Sequence, residues 1–549
     1  MKKFTDYWPE LIGSLIFLII IAGIIFITTG NYDSKFIYDM DDAYIHMAVA
    51  KNMALYHSWG IGTNGFVPLS SSLLWPSLIY LCYLIFGVNE LSPLILNLIA
   101  AIGLIFLAGQ ILKRFKIGNS ASFIIILSLI FLTPLPVVVF SGMEHVAHTL
   151  LNIAYIFVAA KALSYSSSGI INTWDDTRRY RYLLYPLSFF LVAARYEGMF
   201  AIGIVSLLFI FRRRYFTAVA NVIIGILSIT AFGFYSMAKG WYFLPTSLML
   251  KGSIPEPVSI VNLLKYPAIF IVHLLFNIHL FVVFLAILII LYIMLSKKEN
   301  LWDEMNILPL LFIIVTILHM QFASSGWLYR YESYLMALGI MIIGITIAKG
   351  ELPLFGNVTY KYRLLQNILA VFIVFIAISP LLKRGYSSVK DIVIATSNVY
   401  GQQYQMGLFL NKYYNNRPVA IADIGAVNYW ANMDCIDLVG LGNREVVEAR
   451  MKMTYNVKDI ERICREKDMA LAIVSEETFG RANIGGLPKS WIAVGRWYIP
   501  NNVINIDDHV TFYALDESKA SELADNLREF SDQLPKYVRQ CGIYTELSD

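Results

Sequence analysis

Residues 11–29 read LIGSLIFLIIIAGIIFITT and contain no charged side chain. A second apolar run, FIVHLLFNIHLFVVFLAILIILYIML, occupies residues 270–295. A helix needs about 20 predominantly apolar residues to cross the hydrocarbon core of a bilayer. These runs therefore predict membrane-spanning helices, and they set the fold class as a polytopic α-helical membrane protein.

The overall composition points the same way. Of the 549 residues, 57% are hydrophobic and 15% are charged, whereas soluble domains carry about 25% charged residues. The first apolar run follows a short basic N-terminus and has no small-residue cleavage site after it, so we interpret it as a retained signal anchor. The net charge of +4 reflects topology in a protein of this class, and nucleic-acid binding is not indicated.

Clusters of basic residues separate the apolar runs, and such clusters mark cytoplasmic loops. They are Lys2-Lys3, Lys113-Arg114-Lys116, Arg178-Arg179-Arg181, Arg212-Arg213-Arg214, Lys297-Lys298 and Lys361-Arg363. The predicted spans lie at 11–29, within 92–163, 183–211, 216–296 and 305–348, and at 364–381. The total of about eleven crossings predicts a cytoplasmic N-terminus and an extracytoplasmic C-terminus in a prokaryotic cytoplasmic membrane.

One apolar stretch, SSSLLWPSLIYLCYLIFG at 70–87, would break this alternation if it crossed the membrane. We interpret it as a helix along the outer interface, where Trp59, Phe66 and Trp75 suit the headgroup level. The alternative is a true span with one basic cluster misplaced, and the sequence leaves both open.

A change in charge density predicts the domain boundary. About half of the charged residues follow Lys383, so 1–382 is expected to be the transmembrane domain and 383–549 an extracytoplasmic soluble α/β domain. Short apolar runs, VAIADIGAVNYW, MALAIVSEE, WIAVGRWYI and HVTFYAL, predict strands, with helices near 400–413, 444–468 and 517–532. The cysteines Cys82, Cys435, Cys464 and Cys541 have no metal-ligand spacing, and a disulfide among the last three cannot be assigned.

The first outer loop carries an acidic motif, Tyr38-Asp39-Met40-Asp41-Asp42, followed by a stretch with helical periodicity. A carboxylate at a helix start serves as a cap. One acid is sufficient for that role, and two adjacent negative charges raise the pKa of one of them. We therefore favour a catalytic role for Asp41 or Asp42 over capping alone.

Three cations are predicted to lie in other outer loops: Lys251, Arg195 and Arg330. Converging on one site, they would form a phosphate clamp, because Arg binds two oxygens at once. The alternative is interfacial snorkelling or a local ion pair, since each Arg precedes a Glu by two residues. For Arg195 and Arg330, the sequence favours neither the phosphate clamp nor the alternative.

The sequence SGMEHVAH places Glu144, His145 and His148 within one helical turn. A metal site with Asp41 is conceivable, but histidines at helix ends are more often hydrogen-bonded structural residues. The loop GIGTNGFVPLSSS lacks the Lys-Ser/Thr ending of a phosphate loop, which disfavours nucleotide binding.

Six motifs occur in an order that resembles the GT-C glycosyltransferases, and most closely the mycobacterial terminal arabinofuranosyltransferase-like family. They are DDAYIHMAVAKNMA (41–54), SSSLLW (70–75), SGMEH (141–145), RYEG (195–198), LPTSLMLK (244–251) and RYESYL (330–335). In the C-terminal part, ADIGAVNYW (422–430) and IDLVGLGN (436–443) also match. The resemblance implies a GT-C fold, a sugar donor on a polyprenyl monophosphate, an extracytoplasmic glycan or lipid acceptor and one acidic catalytic residue.

On this resemblance, Asp41 and Asp42 occupy the catalytic positions, and Lys251, Arg195 and Arg330 are expected to bind the donor phosphate. Residues expected to contact substrate are Tyr44, His46, Glu144, His145, Trp75 and Tyr331. No cofactor and no obligatory metal are expected. The sequence VPLSSSLLW departs from relatives, which often have proline directly before Leu-Trp, so the sugar, with arabinofuranose the family's example, stays open.

The mechanism expected from these residues is a single displacement with inversion, in which Asp41 or Asp42 deprotonates the acceptor hydroxyl. Two rival functions exist. A secondary transporter or lipid flippase would place ionisable groups near the midplane, often with internal symmetry. A non-catalytic assembly or receptor subunit would have no reason to concentrate acids and cations in separate outer loops.

Overall fold

The fold is that of a computed structural model, which describes residues 6–30, 35–62, 65–164, 173–251, 260–297, 300–351, 363–481 and 484–545. In the described residues up to Val399, the regular secondary structure is helical. Its helices are α1 (Trp8–Gly30), α2 (Asp41–Tyr56), α3 (Leu74–Phe86), α4 (Ser92–Arg114), α5 (Asn119–Leu132), α6 (Leu135–Phe140), α7 (His145–Leu163), α8 (Thr173–Ala194), α9 (Gly198–Phe211), α10 (Tyr215–Ala238), α11 (Thr246–Lys251), α12 (Ile260–Phe276), α13 (Ile278–Ser296), α14 (Glu304–Phe322), α15 (Ser333–Ala348) and α16 (Arg363–Val399).

Within the described residues, six helices are long and apolar enough to cross a membrane: α1, α4, α7, α10, α13 and α14. Shorter apolar helices are α3, α5, α9, α15 and residues Lys265–Phe276 of α12. The chain is thus an integral membrane protein, as expected from its composition. The count of about eleven crossings and the orientation stay predictions.

Two helices shorter than α1 follow it in the chain, and the first of them begins with the acidic motif. Helix α2 begins after Met40, whose backbone is extended, and has Asp41 and Asp42 in its first turn, where negative charge stabilises a helix. Helix α3 has 13 residues and is therefore about 20 Å long. Helices α5 and α9, which lie within predicted spans, have 14 residues each, so length alone does not distinguish α3 from a span and its place along the outer interface stays a prediction.

The C-terminal sheet region, residues 418–542, is a mixed six-stranded sheet of order β2-β1-β3-β5-β4-β6. The strands are β1 (Pro418–Ile421), β2 (Asp434–Asp437), β3 (Leu471–Val474), β4 (Ile492–Tyr498), β5 (His509–Ala514) and β6 (Arg539–Gly542). β1 pairs in parallel with β2 and β3, and the other pairs are antiparallel. The four apolar runs each contain a strand. The edge strands β2 and β6 were not predicted, because their sequences DCID and RQCG lack an apolar pattern.

Helices connect and cover this sheet: α17 (Gln405–Tyr413), α18 (Ala426–Trp430), α19 (Arg444–Met451), α20 (Val457–Glu466), α21 (Glu476–Arg481) and α22 (Glu517–Phe530). The single helix expected at 444–468 is interrupted before Asn456, whose side chain caps α20. In the described part of the chain, the four cysteines form no disulfide with one another.

The long helix α16 continues without interruption through the expected boundary at 382/383 and passes through a π-helical turn at Tyr400–Tyr404 into α17. The division into 1–382 and 383–549 stays a prediction. The buried core is continuous from the helical part to the sheet and includes Phe17 of α1 as well as Val419 of β1. The two parts therefore pack directly against each other.

Candidate active site

A cavity of about 530 Å³ opens where α2 and the loop after it meet the segments that follow α8, α10 and α14. Its polar side is formed by Asp42, His46, Ser70, Ser71, Arg195, Glu197, Ser247, Ser324, Arg330 and Tyr331. Its apolar side includes Met199, Phe200, Leu244, Leu248, Met249 and Phe322. The C-terminal region contributes Leu441 to the wall. The two sets of residues are called the polar wall and the apolar wall below, and a lining that combines charged and apolar side chains suits an amphipathic ligand.

Asp42 and Arg330 form an ion pair on the polar wall, with Nη2 of Arg330 donating to Oδ2 of Asp42 at 2.6 Å. The side chain of Asp42 is 27% exposed, whereas that of Arg330 is 1% exposed. Nη1 of Arg330 contacts the thioether sulfurs of Met40 and Met143, and its Nε has no hydrogen-bond partner. Because thioethers are weak acceptors, much of the hydrogen-bonding capacity of Arg330 is unused.

Asp41 points away from this cavity although it precedes Asp42 directly. Its carboxylate accepts hydrogen bonds from the backbone of Gly425 at 2.8 Å and Ala426 at 2.7 Å. A side chain at Gly425 would collide with Asp41, so glycine is required for this contact. Burial, followed by the charge of Asp423, raises the pKa of Asp41 to about 7. Asp41 thus joins α2 to the C-terminal sheet region.

Arg195 is held by acids on two sides. Its Nε and Nη2 donate to Glu197 at 3.1 and 2.6 Å, and its Nη1 donates to Glu144 at 2.6 Å. The same Nη1 lies 3.0 Å from His145 Nε2. Burial alone would raise the pKa of Glu197, but the charge of Arg195 outweighs it and lowers the pKa to about 2. Arg195 therefore has little capacity left for a ligand.

Tyr331 connects these two ion-paired groups, and His46 joins the Arg195 group to the loop after α2. Nε2 of His46 lies 3.4 Å from Glu144, and its Nδ1 lies 3.1 Å from Ser70 Oγ. The ring of Tyr331 lies between the two guanidinium groups, 5.4 Å from Arg195 and 4.8 Å from Arg330. The polar wall is thus one connected network.

Three further residues that the sequence placed in the site, Tyr44, Trp75 and Lys251, do not appear in the described cavity wall. Tyr44 is buried against Tyr38, whose backbone amide donates to its hydroxyl at 3.2 Å. Trp75 is buried and donates to the Gly142 carbonyl at 2.9 Å. Neither lines the cavity, because Tyr44 packs against Tyr38 and Tyr429 and Trp75 binds the SGMEH turn. Lys251 ends α11, which borders the cavity, but its side chain lies outside the described residues.

Several residues of the site were not singled out from the sequence. Glu197 belongs to the quoted RYEG motif, and the apolar wall has no local signature. Asp39, in the acidic motif, is fully buried and neither oxygen has a hydrogen-bond partner. Burial raises the pKa of Asp39 to about 8 against the opposing effect of Arg330. The sequence offers one indication of Asp39, which is that it lies in the same short acidic run as Asp41 and Asp42.

Among the described residues, one cluster of side chains brings metal-ligating atoms close enough together to hold an ion. Asp507, Asp508 and His509 bring ligand atoms within 4.8 Å of one another. This cluster precedes and begins β5 and is separate from the cavity wall. The residues described around the cavity do not form such a group, and the expectation about metal dependence stays a prediction.

The overall fold matches that of a known protein. Two crystal structures of ArnT from Cupriavidus metallidurans, one bound to undecaprenyl phosphate and one apo, align with this chain at a TM-score of 0.52. Sequence identity is 11% and 10%, and each alignment covers 92% of this chain and 98% of ArnT. At this identity the likeness shows a fold shared with ArnT, and the GT-C class expected from the motifs stays an interpretation.

Sequence comparisons add one match. The profile of a family described as a domain of unknown function (DUF8728) matches residues 394–513, within the C-terminal part. Comparison with curated proteins gives no match. The arabinofuranosyltransferase-like resemblance therefore stays an interpretation of the motifs.

Proposed function

We propose that this protein is an inverting glycosyltransferase that transfers a sugar from a polyprenyl-phosphate donor to a glycan or lipid acceptor on the outer face of the membrane. The observation that supports this best is the cavity whose lining combines Asp42 and Arg330 with a set of apolar side chains. The ArnT fold supports it as well, because one ArnT structure contains undecaprenyl phosphate.

Asp42 is the proposed base. Among the acidic residues of the polar wall its side chain is more exposed, at 27%, than that of Glu197, at 15%. Both oxygens of Glu197 are also occupied by Arg195. Asp41 is assigned a structural role instead, because both its oxygens accept hydrogen bonds from the C-terminal region.

The reaction is a single displacement. The acceptor oxygen attacks the anomeric carbon while Asp42 takes its proton, and the bond from that carbon to the phosphate oxygen breaks. The electron pair leaves with the polyprenyl phosphate. Arg330 stabilises the negative charge that develops there, and the prenyl chain lies along the apolar wall.

Arg330 couples donor binding to base activation in this scheme. The donor phosphate competes with Asp42 for Nη2 of Arg330, which now lies 2.6 Å from Asp42. Loss of a cationic partner makes a carboxylate more basic. Donor binding thus releases Asp42 for the acceptor hydroxyl. Of the three residues expected to bind the donor phosphate, Arg330 is proposed as the main contact and Lys251 as a second one. Arg195 is proposed to hold the residues of the polar wall in place.

The finer assignments follow the motif resemblance. Arabinofuranose is the first sugar to test, and a cell-envelope glycan or lipid is the proposed acceptor. No obligatory metal is proposed, since a phosphate monoester can leave with its charge stabilised by Arg330 and Lys251. The alternative of a transporter or flippase has no specific support from the cavity, whose charged groups lie in loops and at helix ends.

The test is sugar transfer from a polyprenyl-phosphate donor in membranes containing Asp41→Asn or Asp42→Asn protein. We expect transfer to fall by about 10²- to 10⁴-fold in Asp42→Asn and by less in Asp41→Asn. Full activity in both variants would reject the proposed site.

A further inference from the structure

The turn that precedes Arg330 has an unusual backbone. Gly326, Trp327, Leu328 and Tyr329 have φ values of 79°, 42°, 55° and 66°, all in the left-handed region. For the three residues with a side chain this conformation is unfavourable. Such a run persists only where surrounding contacts hold it in place.

The side chain of Glu332 binds the backbone at the start of this turn. Its Oε2 accepts from the backbone N–H of Gly326 at 2.9 Å, and its Oε1 accepts from Nη2 of Arg384 at 2.7 Å. Nε2 of His279 lies 3.1 Å from the same Oε1. The side chain of Glu332 is fully buried, and that of Arg384 is 3% exposed. The start of the turn is therefore fixed to the buried core.

Helix α16 holds the end of the turn at two points. Nη2 of Arg384 also donates to the backbone carbonyl of Tyr329 at 3.1 Å, and the guanidinium lies 5.0 Å from the Tyr329 ring. The hydroxyl of Tyr329 donates to Oδ2 of Asp391 at 2.7 Å. Arg384 and Asp391 both belong to α16, about two helical turns apart.

Arg330 follows this clamped segment directly, so its direction depends on the turn. We propose that Arg384, Glu332 and Tyr329 are positioning residues that aim Arg330 into the cavity and thereby set the affinity for the donor phosphate. The inference rests on the proposed function, since it assigns the phosphate to Arg330. Acting through Arg330, the three residues need not touch the donor.

The same contacts could serve the fold alone, and the two roles differ in what a substitution changes. A structural role predicts lower thermal stability with unchanged phosphate binding in the protein that remains folded. A positioning role predicts weaker phosphate binding together with a more mobile 326–332 turn.

The experiment uses full-length protein in nanodiscs, with undecaprenyl phosphate as the probe and hydrogen–deuterium exchange of the 326–332 peptide as the second measurement. The variants are Arg384→Gln, Arg384→Lys and Tyr329→Phe. The matched control is Arg114→Gln, which breaks the partly buried ion pair of Arg114 with Glu304 on other helices.

For Arg384→Gln we expect about ten-fold weaker binding of undecaprenyl phosphate and faster exchange in the turn. Tyr329→Phe should weaken binding about two- to three-fold, because it removes one hydrogen bond. Arg384→Lys keeps the charge without the planar fork and should fall between wild type and Arg384→Gln. Arg114→Gln should match wild type in both measurements.

Three outcomes decide the matter. Wild-type protein that does not bind undecaprenyl phosphate would overturn the proposed function and the positioning role with it. Binding by wild type that is unchanged in Arg384→Gln would overturn the positioning role alone. If Arg384→Gln does not fold, Tyr329→Phe decides, and wild-type affinity with wild-type exchange in that variant would also overturn the positioning role.

Discussion

The tripeptide Arg-Tyr-Glu occurs in two turns, at 195–197 and at 330–332, with opposite arrangements of its charges. In the first turn, Arg195 binds Glu197 two residues away and Glu144 across the wall. In the second, Arg330 binds Asp42 while Glu332 binds Arg384. The same local sequence thus gives a closed ion pair in one place and a charge directed toward the cavity in the other.

The backbone accounts for the difference. The first turn leads from α8 to α9 through hydrogen bonds within one turn, such as that from the Gly198 N–H to the Arg195 carbonyl at 3.0 Å. The second turn is preceded by four left-handed residues, which send Arg330 and Glu332 to different partners. A short motif therefore does not define a phosphate ligand until the backbone that presents it is known.

The largest effect is expected at the acid that Arg330 holds. Asp42→Asn should lower sugar transfer by about 10²- to 10⁴-fold, because a general base contributes that much. The measurement is initial rate with a polyprenyl-phosphate donor, and Asp41→Asn is the neighbouring control. A larger loss in Asp41→Asn than in Asp42→Asn would reverse the assignment.

The next largest effects are expected for Arg330 and Arg195, whose substitutions should change different properties of the protein. Arg330→Gln should weaken undecaprenyl-phosphate binding about 10- to 100-fold through loss of a charge-assisted contact. Arg195→Gln leaves buried Glu144 and Glu197 without their cation and should cost about 3–5 kcal/mol of stability. Lipid binding and thermal unfolding measured on both variants test the contrast. It fails if Arg195→Gln folds normally but loses more lipid affinity than Arg330→Gln.

Lys251 provides a third cation that belongs to neither turn. Lys251→Ala should raise the KM for the donor about five-fold with little change in kcat, as expected for the loss of one charge contact to the donor. Steady-state kinetics at varied donor concentration measure this. Unchanged donor dependence would remove Lys251 from the clamp.

The smallest effect concerns pH and the contact of Asp41 with the C-terminal region. Its pKa rises from 3.8 to about 7 in the folded protein, so the folded state binds the proton more tightly than the unfolded chain. The stabilising contribution is complete below about pH 4 and is lost as the pH rises to about 7.

Thermal unfolding of wild type should therefore occur at a lower temperature at pH 7.5 than at pH 5. Asp41→Asn should show a flatter profile, because asparagine does not titrate. The control is Asp525→Asn, which changes an exposed carboxylate paired with Arg528. Parallel profiles for wild type and Asp41→Asn would exclude this role for the Asp41 proton.

The sequence predicted those features that depend on neighbouring residues. Apolar runs identified long helices such as α1 and α13, and alternating runs identified the strands β1, β3, β4 and β5, because burial on a membrane or sheet face leaves a local pattern. The acidic motif at the start of α2 was also found from the sequence, because its carboxylates are close together in the chain. The edge strand β6 was missed because its stability comes from pairing with β4.

The tertiary structure alone separated the roles of Asp41 and Asp42. Successive residues of a helix point about 100° apart, so whether one of them faces the cavity depends on how α2 packs. The partner of Asp42 lies 288 residues away in the sequence, and that of Asp41 lies 384 residues away. Composition and periodicity fix which segments are buried, whereas long-range packing decides which charges meet, because it brings together groups that share no local signal.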